Sequence, residues 1–135
     1  MNRLHGTISQ IQHAGAVVLV DFTVDDYDFS ALLVESVTVP TWLKVGEKLD
    51  FVFKETEVSL AKNLSGKISS RNRIPCILHN IQRGELMSVL ELRFRAYTIT
   101  AAITTRSVDA LELALGDEIE ALVKSNEISL MQTFR

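Results

Sequence analysis

Lys54-Glu55-Thr56-Glu57-Val58-Ser59-Leu60 returns seventy residues later as Lys124-Ser125-Asn126-Glu127-Ile128-Ser129-Leu130. The same offset carries Gly46-Glu47-Lys48-Leu49 onto Gly116-Asp117-Glu118-Ile119, Asn2-Arg3-Leu4 onto Asn72-Arg73-Ile74, and Ile11-Gln12 onto Ile81-Gln82. The 135 residues therefore hold two copies of one small fold, at 1–62 and 68–135. A stretch at 61–71 with Asn63, Ser65, Gly66, Ser69 and Ser70 links them. A module of this size lies near the lower limit for a stable core of its own. The two copies are therefore expected to pack on each other, on another chain, or both.

Within each copy the apolar residues recur mostly with period two, which signals strands. In the first copy Leu4, Ile8 and Ile11 begin one strand, and Val18, Val20, Phe22 and Val24 mark a second. Asp25-Asp26 reads as a turn into a third strand, Tyr27 to Val34. Ser36 to Leu43, with Pro40 and Trp42, reads as a short helical or looped crossover. Lys48–Phe53 and Val58–Leu60 close the module. The second copy repeats the order with Ile74–Ile81, Leu86–Phe94, Tyr97–Ile103, Glu118–Val123 and Ile128–Met131. Between its third and fourth strands, Thr105 to Leu113 has helical spacing, with Gly116 as the stop signal. Five short strands with one short helix between the third and fourth predict an all-β chain of two tandem OB-like five-stranded small barrels. An open antiparallel sheet is the alternative. Closure is preferred because it removes exposed edges.

Composition narrows the function. The formal net charge is −3. Residues 1–67 carry six Lys/Arg against nine Asp/Glu, and residues 68–135 carry eight of each. That leaves no basic excess of the kind phosphate-backbone binding needs, so nucleic acid is not expected as a partner of this chain alone. Arg93 and Arg95 read as one side of a strand with Phe94 on the other, so basic and aromatic groups do not interleave on one face as stacking on single strands requires. No apolar run approaches a membrane span, and Met1 leads straight into a strand pattern instead of a signal peptide. The single cysteine, Cys76, excludes an internal disulfide and fits a reducing, cytoplasmic setting. It stands where the first copy has Gly6, as a small packed residue. His5, His13 and His79 share no ligand spacing, so no metal site is expected. Asp25, Asp26 and Asp28 lack the Gly and bidentate Glu of a calcium loop. No nucleophile–base set points to an enzyme.

The chemistry lies in where the copies disagree. Thr104 is matched by Val34, Ser107 by Val37, and Ser125 by Glu55. Ser69 and Arg71 map to or before the first residue, whereas Lys124 persists as Lys54. The second copy thus collects Ser69, Arg71, Thr104, Ser107, Lys124 and Ser125, four hydroxyls and two cations with no carboxylate. Hydroxyls and N–H groups can donate to the oxygens of a small tetrahedral oxyanion while Arg and Lys offset its charge. Ser and Thr at strand ends also serve as caps and turn residues.

Ser69-Ser70-Arg71-Asn72 resembles the Ser-Ala-Arg-Asn motif that opens a molybdate-binding Mop domain, within the wider TOBE group. Ala102-Ile103-Thr104-Thr105-Arg106-Ser107 resembles that family's Ala-Ile-Thr-x-x-Ser segment, and Val123-Lys124-Ser125 resembles its closing Ile/Val-Lys-Ser/Ala. The resemblance covers nearly the whole chain as a tandem, di-Mop arrangement. It implies molybdate or tungstate as bound ligand, no organic cofactor, and Ser69, Arg71, Thr104, Ser107, Lys124 and Ser125 as the oxyanion contacts. Sites between Mop modules imply a homo-oligomer, a dimer or trimer. The implied role is storage, homeostasis or sensing of molybdate. A ligand-sensing module of a molybdate-responsive transcription regulator or of a transporter is the alternative. The first copy lacks the opening Ser and Arg and the Thr/Ser pair, so it reads as scaffold and interface. Cys76 stands where the family has Gly, and Ala110 where some regulators carry a basic residue.

Overall fold

A computed structural model describes residues 1–34 and 38–133. The strands are β1 (Asn2–Ala14), β2 (Val17–Val24), β3 (Tyr27–Leu33), β4 (Lys48–Phe53), β5 (Ser59–Ala61), β6 (Asn72–Arg83), β7 (Met87–Phe94), β8 (Tyr97–Thr104), β9 (Glu118–Val123) and β10 (Ser129–Gln132). One α-helix, α1 (Thr105–Ala110), follows β8, and single 3₁₀ turns at Glu55–Glu57 and Ser125–Glu127 precede β5 and β10. The chain is thus nearly all β, in two five-stranded antiparallel sheets of OB-like form.

The sheets divide the chain differently from the repeats. One runs β10-β4-β1-β2-β3 and the other β5-β9-β6-β7-β8. The last strand of each copy has crossed to the other sheet: Leu60 lies opposite Ala121, and Leu130 opposite Phe51. The exchange brings the 3₁₀ turn before β5 against β8, and the turn before β10 against β3. No ladder joins β10 to β3 or β5 to β8 among the described residues.

Long strands serve two neighbours because they bend. β1 pairs with β4 over Asn2–Thr7 and with β2 beyond, through a bulge between Ile8 and Gln10. β6 repeats this with a bulge between Leu78 and Asn80. The strand-end turn docks on the bulge: Gly46 N–H donates to the Ile8 carbonyl and Gly116 N–H to the Leu78 carbonyl, both at 2.8 Å. Both glycines take a left-handed φ, +92° and +89°, which a side chain would strain. Gly116 therefore shapes this turn and does not stop the helix. The helix ends at Ala110, and Glu112 at φ 50° takes the left-handed step beyond it.

The helix forms in the second copy. In the first, the described residues of the crossover form turns, with Pro40 and the β-branched Thr38 and Val39 disfavouring helix. Ser36 and Val37 lie outside the described residues.

Alternating side chains of β2, β7 and their neighbours point inward. They form one continuous core across both sheets, centred on Phe22, Phe51, Phe53, Leu90, Leu92 and Phe94. Tyr27 and Phe29 of the first copy meet Phe94 of the second edge-on, at 5.2 and 6.1 Å between ring centres. Arg95 sits in the turn after β7 with its guanidinium 5.2 Å from the Tyr27 ring centre, so it does not share a strand face with Arg93. Among the described residues no helix is long and apolar enough to cross a membrane.

Candidate functional site

Four of the six candidate residues meet on one surface. β6 and β9 are paired with Asn72 opposite Val123. Arg71, just before β6, and Lys124, just after β9, therefore emerge from neighbouring strands at the same end. Lys124 keeps extended backbone, and the 3₁₀ turn from Ser125 to Glu127 follows at once. Ser69, Arg71, Lys124 and Ser125 line an open recess of about 540 Å³ with Leu32, Thr56 and Ser59. The Arg71 guanidinium donates to the Ile68 carbonyl at 2.8 Å, which holds it against its own loop. Glu57 and Glu127 also line the recess. One oxygen of the Glu57 carboxylate accepts from the Lys54 N–H at 2.8 Å.

Arg71 and Ser125 border a second recess toward β2 and β3, whose wall carries Asp21 and Asp28. Each recess carries two carboxylates, but only the first adds Lys124 to Arg71, so it is the less unfavourable of the two for an anion. The side with Lys124 and Ser69 is the one equipped for it.

Thr104 and Ser107 stand elsewhere. Thr104 Oγ1 caps α1 by accepting from the Ser107 N–H at 3.2 Å, and the two hydroxyls are 2.7 Å apart. They line a smaller recess of about 390 Å³ with Thr56, Ser59, Met87 and Leu111. Thr56 and Ser59 border both recesses. The segment that crosses from the first copy thus forms the wall between the two groups. One chain brings Ser69, Arg71, Lys124 and Ser125 together and leaves Thr104 and Ser107 behind that wall.

Ser30 and Asn72 are participants that the repeat comparison did not single out. Ser30 Oγ on β3 lies 2.7 Å from Ser125 Oγ. Asn72, 1% exposed, accepts from the Ser30 N–H at 2.7 Å and donates to the carbonyls of Ser30 and Val123 at 2.8 and 2.9 Å. A signal was present: both copies carry Asn at the repeat position, and Ser30 is matched by another hydroxyl residue, Thr100.

The corresponding place in the first copy is differently furnished. Val34 replaces Thr104 and is exposed, and Glu55 replaces Ser125. Val37 lies outside the described residues. Elsewhere, no group of His, Cys, Asp and Glu suited to a metal ion occurs among the described residues. Burial pushes the Cys76 thiol up to about 12, which makes it a packing group and not a nucleophile.

Residues 68–130 match the TOBE domain. Over 70 residues, about half of this chain, the sequence is 41% identical to the molybdenum import ATP-binding protein ModC of Brucella abortus (strain 2308), covering 20% of that protein. It is 38% identical over 72 residues to the molybdenum transport protein ModE of Azotobacter vinelandii, covering 27% of it. It is 25% identical over 127 residues to ModE of Herbaspirillum seropedicae, covering 47% of it. The chain thus spans between a fifth and a half of these relatives' lengths. The structure superposes on the cytoplasmic molybdate-binding protein ModG with a TM-score of 0.91 at 23% identity, covering 98% of this chain and 96% of that one. The second repeat thus matches a TOBE domain, and the tandem OB-like fold shared with ModG extends over both copies.

Proposed function

We propose that this chain is a binding protein, not an enzyme, and that it holds molybdate at an interface between Mop modules. The observation that carries the reading is the convergence of Arg71, Lys124, Ser69 and Ser125 on one recess. Two cations offset a dianion, and two hydroxyls donate to its oxygens. Tungstate has nearly the same size and charge and fits equally. Sulfate offers the same acceptors on a smaller tetrahedron, so cavity size discriminates against it. The recess is open, and its volume is many times the roughly 30 Å³ share of one water. Thr104 and Ser107 of a second copy supply the missing hydroxyls and close it, which makes the protein a homo-oligomer, a dimer or trimer. The names of the relatives, two molybdenum transport proteins and one molybdenum import ATP-binding protein, support the choice of ion.

The role is storage or homeostasis of the ion in the cytoplasm. A second reading, a ligand-sensing module of a regulator or transporter, is favoured by the limited share of ModC and ModE that this chain spans.

Titration calorimetry with molybdate, tungstate and sulfate tests the binding. Molybdate and tungstate bind at micromolar concentrations or below, and sulfate binds at least tenfold more weakly. Arg71→Ala and Lys124→Ala each remove a charged donor, of the order of 1.5–3 kcal/mol, and cost about ten- to a hundredfold in affinity. Absence of heat with both ions at micromolar concentration overturns the reading. Native mass spectra with and without the ion separate storage from sensing. An oligomer independent of the ion fits storage, and an ion-driven change of assembly fits sensing.

A further inference from the structure

The first copy supplies no cation to the recess, but besides Thr56 and Ser59 in its wall a third hydroxyl, that of Ser30, reaches one of the site's residues. Ser30 is 6% exposed and lies on β3, an edge strand of the other sheet. Its Oγ is 2.7 Å from the Ser125 Oγ. Ser125 in turn faces the recess that holds Arg71, Lys124 and Ser69.

A serine hydroxyl has one proton and two acceptor lone pairs, so in the ion-free protein either oxygen can be the donor of this bond. An anion resolves the choice. To serve an oxyanion, the Ser125 O–H must point into the recess. Its oxygen is then free to accept, and the Ser30 O–H is the donor in reach. We propose that Ser30 is a positioning residue for the oxyanion site: its hydroxyl donates to Ser125 Oγ, fixes the Ser125 rotor toward the anion and polarises that O–H. Chains of hydrogen bonds strengthen one another in this way inside a protein. The anion then fixes the direction of both bonds, Ser30 to Ser125 to ion. This inference rests on the oxyanion reading of the recess.

The geometry separates this role from a structural one. The bonds that hold β3 to Asn72 use the main-chain N–H and carbonyl of Ser30, which alanine keeps. The hydroxyl bonds only Ser125 among the described side chains. The internal repeat also names a conservative replacement, since Thr100 occupies the matching position.

Calorimetry with molybdate on the full chain and on Ser30→Ala, Ser30→Thr, Ser125→Ala and Ser30→Ala/Ser125→Ala tests it. Loss of one neutral hydrogen bond corresponds to an expected rise in Kd of about three- to tenfold for Ser30→Ala. Ser30→Thr stays within about twofold of the unmodified chain. The double variant binds no more weakly than Ser125→Ala alone, because Ser30 acts only through Ser125. The thermal midpoint of ion-free Ser30→Ala stays close to that of the unmodified protein. Equal affinity of Ser30→Ala and the unmodified chain overturns the relay and leaves the site reading standing. So does an additive loss in the double variant. If the unmodified chain binds neither molybdate nor tungstate, the site reading falls and the relay with it.

Discussion

Asn72 grips Ser30 on both sides of one peptide pair: its Oδ1 accepts from the Ser30 N–H at 2.7 Å and its Nδ2 donates to the Ser30 carbonyl at 2.8 Å. The amide thereby extends the edge of β3 as a short strand would. Asn2 does the same for Thr100, accepting from its N–H and donating to its carbonyl, both at 2.8 Å. Each asparagine opens the first strand of one copy and holds the third strand of the other. The two clamps and the two exchanged strands tie the halves into one unit, which is why modules near the size limit can be stable together.

Replacing Asn72 with Asp tests the clamp with almost no change of shape. The Nδ2 donor becomes an oxygen facing the carbonyls of Ser30 and Val123 at hydrogen-bond distance, in a site 1% exposed. Loss of two bonds and the burial of an unpaired acceptor should cost about 3 kcal/mol or more at neutral pH. Asn2→Asp, which loses one such donor bond, should cost less. Urea unfolding of both variants checks the order. Because each clamp joins both copies, the transition should remain single.

The repeat made most of this fold legible. Period-two patterning placed the strands, and the offset carried strand order and glycine from one copy to the other. Strand exchange left no such trace. Leu60 and Leu130 read identically whichever sheet they join, because edge pairing uses main-chain groups and a half-buried side chain fits either partner. The site was legible as a residue list but not as a surface. Spacing grouped Thr104 and Ser107 with Lys124, while the exchange interposes Thr56 and Ser59 between them. Ser30 was hidden because it lies ninety-five residues from Ser125 in a copy that lacks the ligand motifs.

Gly6 and Cys76 occupy matching positions with different room. A Cβ on Gly6 would lie 2.9 Å from Phe51 Cε2 and 3.0 Å from Phe22 Cδ2 and the Thr23 carbonyl. The two rings stack at 3.5 Å between centres. In the second copy the matching residues are Ala121 and Leu92, which leave space for the Cys76 side chain. Gly6→Cys should therefore destabilise by about 1–3 kcal/mol through overpacking. Gly6→Cys combined with Phe51→Ala should lose less than the sum of the two single changes, since the second makes room for the first. Denaturant midpoints of the three variants measure this coupling.

Acid should weaken the protein at Asp50. Burial pushes its carboxyl up, but hydrogen bonds from His5 and Thr133 and the charges of His5 and Arg3 outweigh this and hold it below the usual carboxylate range. Arg3 contributes at 2.9 Å and Thr133, just beyond β10, at 3.0 Å. A carboxyl depressed in the folded state adds stability above its unfolded value, near pH 3.9, and that stability is lost as pH falls through the lower folded value. Asp50→Asn should cost about 1–3 kcal/mol near neutral pH, with the gap to the unmodified protein closing below about pH 4. Trp42, the only tryptophan, borders the same recess as Asp50 and Thr133, so its fluorescence can follow the acid transition.

The division of the candidate ligands between two recesses leads to a test by complementation. Arg71→Ala removes a cation from one recess, and Thr104→Ala with Ser107→Ala removes both hydroxyls from the other. Each variant alone should bind molybdate at least tenfold more weakly than the unmodified chain. If a site is built from the Arg71 side of one copy and the Thr104 side of another, mixing the variants restores some sites intact. Random exchange of subunits at equal concentration gives about a quarter of the sites both halves unmodified. Calorimetry on the exchanged mixture should then report a high-affinity class at that stoichiometry, absent from either variant. If all six residues act within one chain, no mixture regains high affinity, and the shared-site geometry is wrong.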